Sequence, residues 1–312
     1  MHRVVALALP DVVAFDLSIP AQVFGHVEAR DRYRFSVCAE QPGEVRSTTG
    51  FSITVGHGLA ALEDADTVVV PGFMPTDDPP AIVSDALRLA HARGARVASV
   101  CVGAFALAAA GLMDGRAATT HWEHADDLRR RFPEVQVRPE VLYVDEGQVL
   151  SSAGISAGID LCLHMVRSDF GAEVAARVSR RMVAALHRPG GQAQFIDRPL
   201  PEGDSPIART CAWAADQLAE RPLSVGELAD HAGYSPRSFS RRFHQELGTT
   251  PARWLAAQRV IEARRLLERT ALSIEEVAAR SGLGTSANLR VHFARELSTT
   301  PTAYRQAFRA SG

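Results

Sequence analysis

Lysine is absent from this chain: all 34 basic residues among its 312 are arginine. A codon bias explains that without a functional cause. No apolar run reaches about 18 residues, so no ordinary membrane-spanning helix is expected. The start, Met1-His2-Arg3-Val4-Val5, enters an apolar stretch directly and lacks a signal-peptide layout. Cysteine is scarce. Cys38, Cys101, Cys162 and Cys211 are scattered with no C-x-x-C pair, which argues against a disulfide framework and against a zinc site. A cytoplasmic, reducing location follows as the expectation. With 46% hydrophobic and 22% charged residues, disorder as the dominant state is excluded.

What is present changes along the chain. Residues 1–204 carry 19 Arg against 26 acidic residues, a net of −7, and residues 205–312 carry 15 against 10, a net of +5. An acidic body followed by a basic tail points to a polyanionic partner for the second part. The length fits two domains. Short apolar or β-branched runs at 4–9, 33–39, 67–70 and 96–100 predict strands. They alternate with helical spacing at 19–29, 80–92, 104–110, 123–131 and 155–169, and a last helix is expected at 172–187. Such alternation predicts an α/β, doubly wound parallel sheet over residues 1–187. Residues 188–204 are rich in Pro and Gly and predict a linker. Residues 205–312 are predicted to be all helical.

The helical part contains a repeat. Residues 223–233 match 272–282 with five identities in eleven positions, and 243–251 match 293–301 with six in nine. Each copy opens on a capping box, Ser224-x-x-Glu227 or Ser273-x-x-Glu276. A short apolar helix, a turn with Gly233 or Gly282, and a second helix follow, which is the helix-turn-helix layout. Phe239 and Phe243 mark the inward face of one second helix, so Arg237, Ser240 and Arg241 point away from it. In the other copy Leu289 and Phe293 mark the inside, leaving Ser286, Asn288, Arg290 and Val291 off that face. Arg can read guanine and Asn adenine with paired hydrogen bonds in the major groove. Residues 205–309 resemble an AraC-type DNA-binding domain, with 255–269 as its joining helix and 265–301 as its signature region. The resemblance places base-contacting slots on Arg237, Ser240 and Arg241, then on Ser286, Ala287, Asn288, Arg290 and Val291. The second recognition helix of the family often has Arg where Val291 stands.

In the first part, Ser99-Val100-Cys101-Val102-Gly103-Ala104 lies where an apolar strand becomes a helix, the layout of a nucleophile elbow. The helix start would favour a thiolate; a buried inert Cys fits the same residues equally well. Thr119-Thr120-His121-Trp122 ends a strand-like segment, Asp16 opens the first helix, and Pro71-Gly72 ends a strand where backbone N–H groups could form an anion hole. The carboxyl ends of parallel strands share one edge, so these features are expected to converge on one pocket. Phe73, Phe105 and Trp122 are candidate walls, and Cys38, Cys162 and Cys211 are expected in cores.

Residues 1–187 resemble the PfpI-type branch of the class I glutamine-amidotransferase-like superfamily. The matching pieces are 16–20, 69–72, 101–104, 119–121 and 150–154. The resemblance puts the elbow Cys, its His and its acid on Cys101, His121 and Asp16. Many members have Glu for the acid, and isonitrile hydratases carry a hydroxyl residue where Val102 stands. A PfpI-type domain joined to an AraC-type domain is the architecture of GlxA-type transcriptional regulators. It implies a non-enzymatic homodimer that binds double-stranded DNA and a small, nitrogen-containing effector, without metal, cofactor or membrane. The effector pocket would comprise Asp16, Gly72, Cys101, Val102 and His121. The alternatives are a cysteine-dependent hydrolase or isonitrile-hydratase-like enzyme with a tethered DNA-binding domain and, third, an oxidation sensor at Cys101, which needs a low thiol pKa and solvent access.

Overall fold

The first apolar run forms β1, His2–Leu7, whose last four residues are all buried. A strand covered on both faces needs no polar alternation, which is why it reads as a continuous apolar run. The computed structural model describes residues 1–184, 188, 190 and 205–309, apart from 27, 28, 30, 219, 248 and 298. The chain divides into two compact units, Met1–Gln194 and Phe195–Gly312. Of the expected linker, only Arg188 and Gly190 lie among the described residues, and the end of the expected 172–187 helix lies outside them.

In the first unit β1 is followed by α1 (Ala14–Gly25), β2 (Tyr33–Cys38), the hairpin β3 (Gly43–Arg46) and β4 (Ser52–Val55), then β5 (Thr67–Val70), α2 (Ala81–Ala92), β6 (Arg96–Val100) and α3 (Ala104–Ala109). Next come β7 (Ala117–Ala118), α4 (Ala125–Arg131), β8 (Gln136–Val137), β9 (Tyr143–Glu146), β10 (Val149–Ser152) and α5 (Ser156–Arg181). The main sheet has the order β2-β1-β5-β6-β10-β9. All its pairs are parallel except β10 with β9. The order reverses between β1 and β5, the topological switch point at which such sheets bind ligands.

All four expected strands form. The helix expected from residue 19 instead starts at Ala14, because Val13 N–H is already held by Gly72 O at 2.7 Å and the chain can turn there. The hairpin β3–β4 and the strands β9 and β10 were not legible as strands: the first pair is mostly exposed and polar, and β10 is only four residues long. The expected break between two helices near residue 171 is real, since Gly171 sits at φ 87°, ψ 169° inside α5.

The second unit holds α6 (Pro206–Leu218), α7 (Val225–His231), α8 (Pro236–Leu247), α9 (Pro251–Arg269), α10 (Ile274–Arg280), α11 (Ser286–Leu297) and α12 (Pro301–Arg309). Both predicted capping boxes are present. Helix α9 joins two cores. Its Trp254 and Leu255 pack with Phe239 and Phe243, while its Val260, Ala263, Leu266 and Leu267 pack with Leu289 and Phe293. The duplication runs further than the aligned blocks. Thr250 caps α9 and Thr300 Oγ1 accepts from Ala303 N–H at the start of α12. Trp254 and Tyr304, fifty residues apart, each meet a recognition-helix Phe edge-on, at 5.8 and 5.6 Å from Phe243 and Phe293.

Candidate functional site

At the carboxyl edge of the sheet, β6 runs into a tight turn in which Cys101 has φ 58°. A non-glycine residue in this conformation is strained and is held there by its surroundings. Three glycines make room for it. A Cβ on Gly103 would lie 2.1 Å from Val70 O, one on Gly154 would lie 2.3 Å from Cys101 Cβ, and one on Gly72 would lie 3.3 Å from Cys101 Cβ. From the other side Thr120 Oγ1 donates to Cys101 O at 2.9 Å. Behind the turn, Ser151 Oγ accepts from Thr119 N–H at 2.9 Å and Ser152 Oγ donates to Ser99 O at 3.3 Å.

Asp16 is fully buried in the first turn of α1. The segment before it is stitched in place by Val12 N–H to Arg46 O, Thr48 N–H to Val12 O and Val13 N–H to Gly72 O. Its Oδ1 accepts from Ile155 N–H at 3.0 Å. Its Oδ2 has no well-formed hydrogen bond and lies over Gly72, 2.6 Å from where a Cβ would stand. Ile155 reaches Asp16 by adopting φ 48°, just after Gly154 at φ 85°.

Burial lifts the Asp16 carboxyl above the ordinary carboxylate range, against the opposing pull of the Ile155 and Gly72 N–H groups. Burial, and next the Asp16 charge, push the Cys101 thiol upward as well. The expected thiolate is therefore reversed. Helix α3 is only six residues long, and its field does not offset desolvation beside an acid. The Gly72 N–H faces Asp16 rather than an open anion hole.

Between the unfolded carboxylate range, near pH 4, and the higher folded value, the native state keeps a proton that the unfolded chain has lost. The stability this group supplies is therefore present at about pH 4 and below and falls as pH rises through that window. Asp16→Asn cannot titrate. In urea titrations upward from pH 4, the wild type is expected to lose ground to the variant as pH rises, until the folded carboxyl has ionised. A difference that stays flat, or moves the other way, would mean that Asp16 is an ordinary ionised side chain.

His121 makes no hydrogen bond to the Cys101 thiol among the described residues. Its ring is half-buried, its Nδ1 lies 3.7 Å from Glu123 Oε2, and it leans on Trp122 and His124. Burial lowers its pKa, with Glu123 opposing. Phe105 is in the core against Phe132 and Arg131 rather than in the pocket wall, and Phe73 is buried beside Val12. Cys38, Cys162 and Cys211 are fully buried, as expected. Sequence reading gave no role to Thr120, Gly154 or Ile155. Gly154 within Ser151-Ser152-Ala153-Gly154 was the available signal for the last two.

In the second unit several arginines are held by the protein itself. Arg259 donates to Leu223 O, Arg264 to Tyr304, Arg265 to Glu262, and Arg221 to Glu227. Arg237, Arg241 and Arg290 are exposed and have no such partner among the described residues. Ser240 is exposed beside them and Ser286 is half-buried. Asn288 is exposed, but its Nδ2 already donates to Leu283 O at 2.8 Å, which fixes the amide and leaves its oxygen and second hydrogen free to face a ligand.

The DJ-1/PfpI family profile matches residues 2–168, and a helix-turn-helix domain profile matches residues 228–307. The chain is 31% identical over 256 residues to the HTH-type transcriptional regulator CdhR of Pseudomonas aeruginosa, spanning 81% of this chain and 75% of that one. It is 31% identical over 290 residues to the HTH-type transcriptional regulator GlxA of Rhizobium meliloti, spanning 92% and 89%. A solved AraC family transcriptional regulator from Pseudomonas putida is 24% identical, with a TM-score of 0.54 over 58% of this chain and 100% of that one, and shares the fold. The chain thus belongs to the DJ-1/PfpI family, in the GlxA-type branch that carries an AraC-type helix-turn-helix domain, and it is a transcriptional regulator.

Proposed function

We propose that the pocket around Asp16, Gly72, Cys101, Val102 and His121 binds a small effector and catalyses no reaction. The observation that carries this reading is the state of Cys101. Burial and the neighbouring Asp16 push the thiol upward, away from the thiolate a hydrolase would use, and among the described residues no hydrogen bond joins it to His121, the base such an enzyme would need. A nitrogenous cation suits the pocket, because it would draw the proton off Asp16 and pair with the carboxylate. Its affinity would then rise with pH.

The pocket also has a physical route outward. Asp16 holds Ile155, which opens α5, and Arg188, at the head of the Pro/Gly-rich stretch, binds Ser156 O at 3.2 Å and Asp160 Oδ1 at 2.9 Å on the same helix. An effector that binds two positions of Ile155 unequally would shift the start of α5 and with it Arg188. The DNA side of the proposal rests on Arg237, Ser240, Arg241, Ser286, Asn288 and Arg290, with the unpartnered arginines as its support. A cytoplasmic homodimer completes the reading, and sedimentation of the full chain measures it.

Cys101→Ala tests the pocket. The variant is expected to bind DNA without effector as the wild type does, and to need a higher concentration of effector for its response. A thermal-shift screen of small nitrogenous metabolites on the full chain supplies that effector, since a ligand of the native state raises the midpoint. An unchanged effector response removes Cys101 from the pocket. Wild-type turnover of amides or isonitriles that the variant loses would replace sensing with catalysis.

A further inference from the structure

The two recognition helices occupy the same frame and present different chemistry. Phe239 and Phe243 of α8 correspond to Leu289 and Phe293 of α11, and all four are fully buried. In that frame Arg237 corresponds to Ala287, Ser240 to Arg290, Arg241 to Val291 and His244 to Ala294. All eight are exposed. At 3.6 residues per turn, Arg241 and Val291 lie opposite the middle of the buried face, so each is the outermost side chain of its helix. The first helix thus offers two guanidinium groups and an imidazole. At the same three places the second offers an isopropyl group between two methyl groups.

An aliphatic stripe at the tip of an exposed helix has no packing cause here. Val291 is 60% exposed and belongs to neither core of the second unit. A β-branched residue also adds nothing to helix stability at a solvent-facing position. The stripe lies in a basic unit and is flanked by Arg290, an arrangement that suits a polyanion with an apolar feature at the bottom of a groove. In the major groove that feature is the C5 methyl of thymine.

We propose that Val291, with Ala287 and Ala294 beside it, reads a thymine methyl, so that α8 recognises its half of the site by hydrogen bonds and α11 recognises its half by apolar contact. This rests on the DNA reading above, and it is tested so that the two can fail separately. Duplexes are selected from a random pool by the full-length protein. Each thymine of the selected site is then replaced by deoxyuridine, which removes the methyl and leaves the base-pair hydrogen bonds intact. Wild type is expected to weaken about fourfold at one thymine, the equilibrium effect of one methyl-sized group returned to water. Val291→Ala is expected to bind the thymine and deoxyuridine duplexes alike, and Arg241→Ala is expected to keep the wild-type difference.

Indifference of the wild type to deoxyuridine throughout a selected site overturns the methyl reading and leaves the DNA reading standing. So does a Val291→Ala protein that still distinguishes the two duplexes. A Val291→Ala protein that matches wild type on every duplex but fails to regulate transcription would assign the stripe to a protein partner instead. Selection of no sequence at all overturns both readings.

Discussion

Gly154→Ala is expected to destabilise the first unit by about 2–6 kcal/mol. Two costs combine in this figure. The residue sits at φ 85°, where a Cβ is strained by about 1–3 kcal/mol. The new Cβ would also lie 2.3 Å from Cys101 Cβ and 2.7 Å from its Cα, and overpacking of this kind costs about 1–3 kcal/mol. The Cys101 turn cannot yield easily, since its other side is pressed on Val70 O through Gly103. Gly147 provides the comparison. It has a similar φ of 78° but nothing within 4 Å of a built Cβ, so Gly147→Ala carries only the backbone cost. Calorimetry of the two full-length variants separates the terms. Equal losses would mean that Gly154 is needed only for its backbone angle and that Cys101 is not wedged against it. A loss of the expected size would be a large share of the 5–15 kcal/mol that holds an ordinary domain together.

The parts of the fold that depend on local pattern were readable, and those that depend on long-range bonds were not. Thr67–Val70 and Arg96–Val100 announce themselves as strands because they are buried on both faces. The capping boxes and the buried pairs Phe239–Phe243 and Leu289–Phe293 likewise made the helix-turn-helix units readable, since caps and i,i+4 pairs are local chemistry. The elbow at Cys101 could be placed from its small neighbours alone. Its electrostatics could not, because they arise from Asp16, 85 positions earlier, and from burial, neither of which is a property of the motif. The Ile155 N–H that orients Asp16 is a backbone group 139 residues away and leaves no mark in side-chain pattern. His121 shows a second limit of the same kind. It falls in the expected order along the chain, yet its nearest charge is Glu123, a neighbour that the motif does not include.

Arg241→Ala is expected to cost about 1–3 kcal/mol on a selected duplex, or roughly 5- to 150-fold in affinity, and much less on a scrambled one. The reason is position. Arg241 is the outermost side chain of α8, without a partner among the described residues, and aimed away from Phe239 and Phe243. An arginine with no internal partner loses no existing hydrogen bonds when it turns to a guanine. Arg290 stands differently. It is one residue, about 100°, round the helix from Val291 and so lies at the rim of the exposed face, where a groove presents its phosphates. Arg290→Ala is accordingly expected to weaken specific and scrambled duplexes alike and to lower the salt slope by about one. Helix α9, with 19 residues, is about 28 Å long, close to the 34 Å between successive major grooves on one face of a duplex. The Arg241 effect should therefore stay within one cluster of base pairs and leave preferences in the other unchanged. Titrations of both variants on selected and scrambled duplexes at several salt concentrations distinguish the cases. Equal losses for Arg241→Ala on the two duplexes would place that guanidinium on the backbone too, leaving α8 to read bases through Arg237 and Ser240.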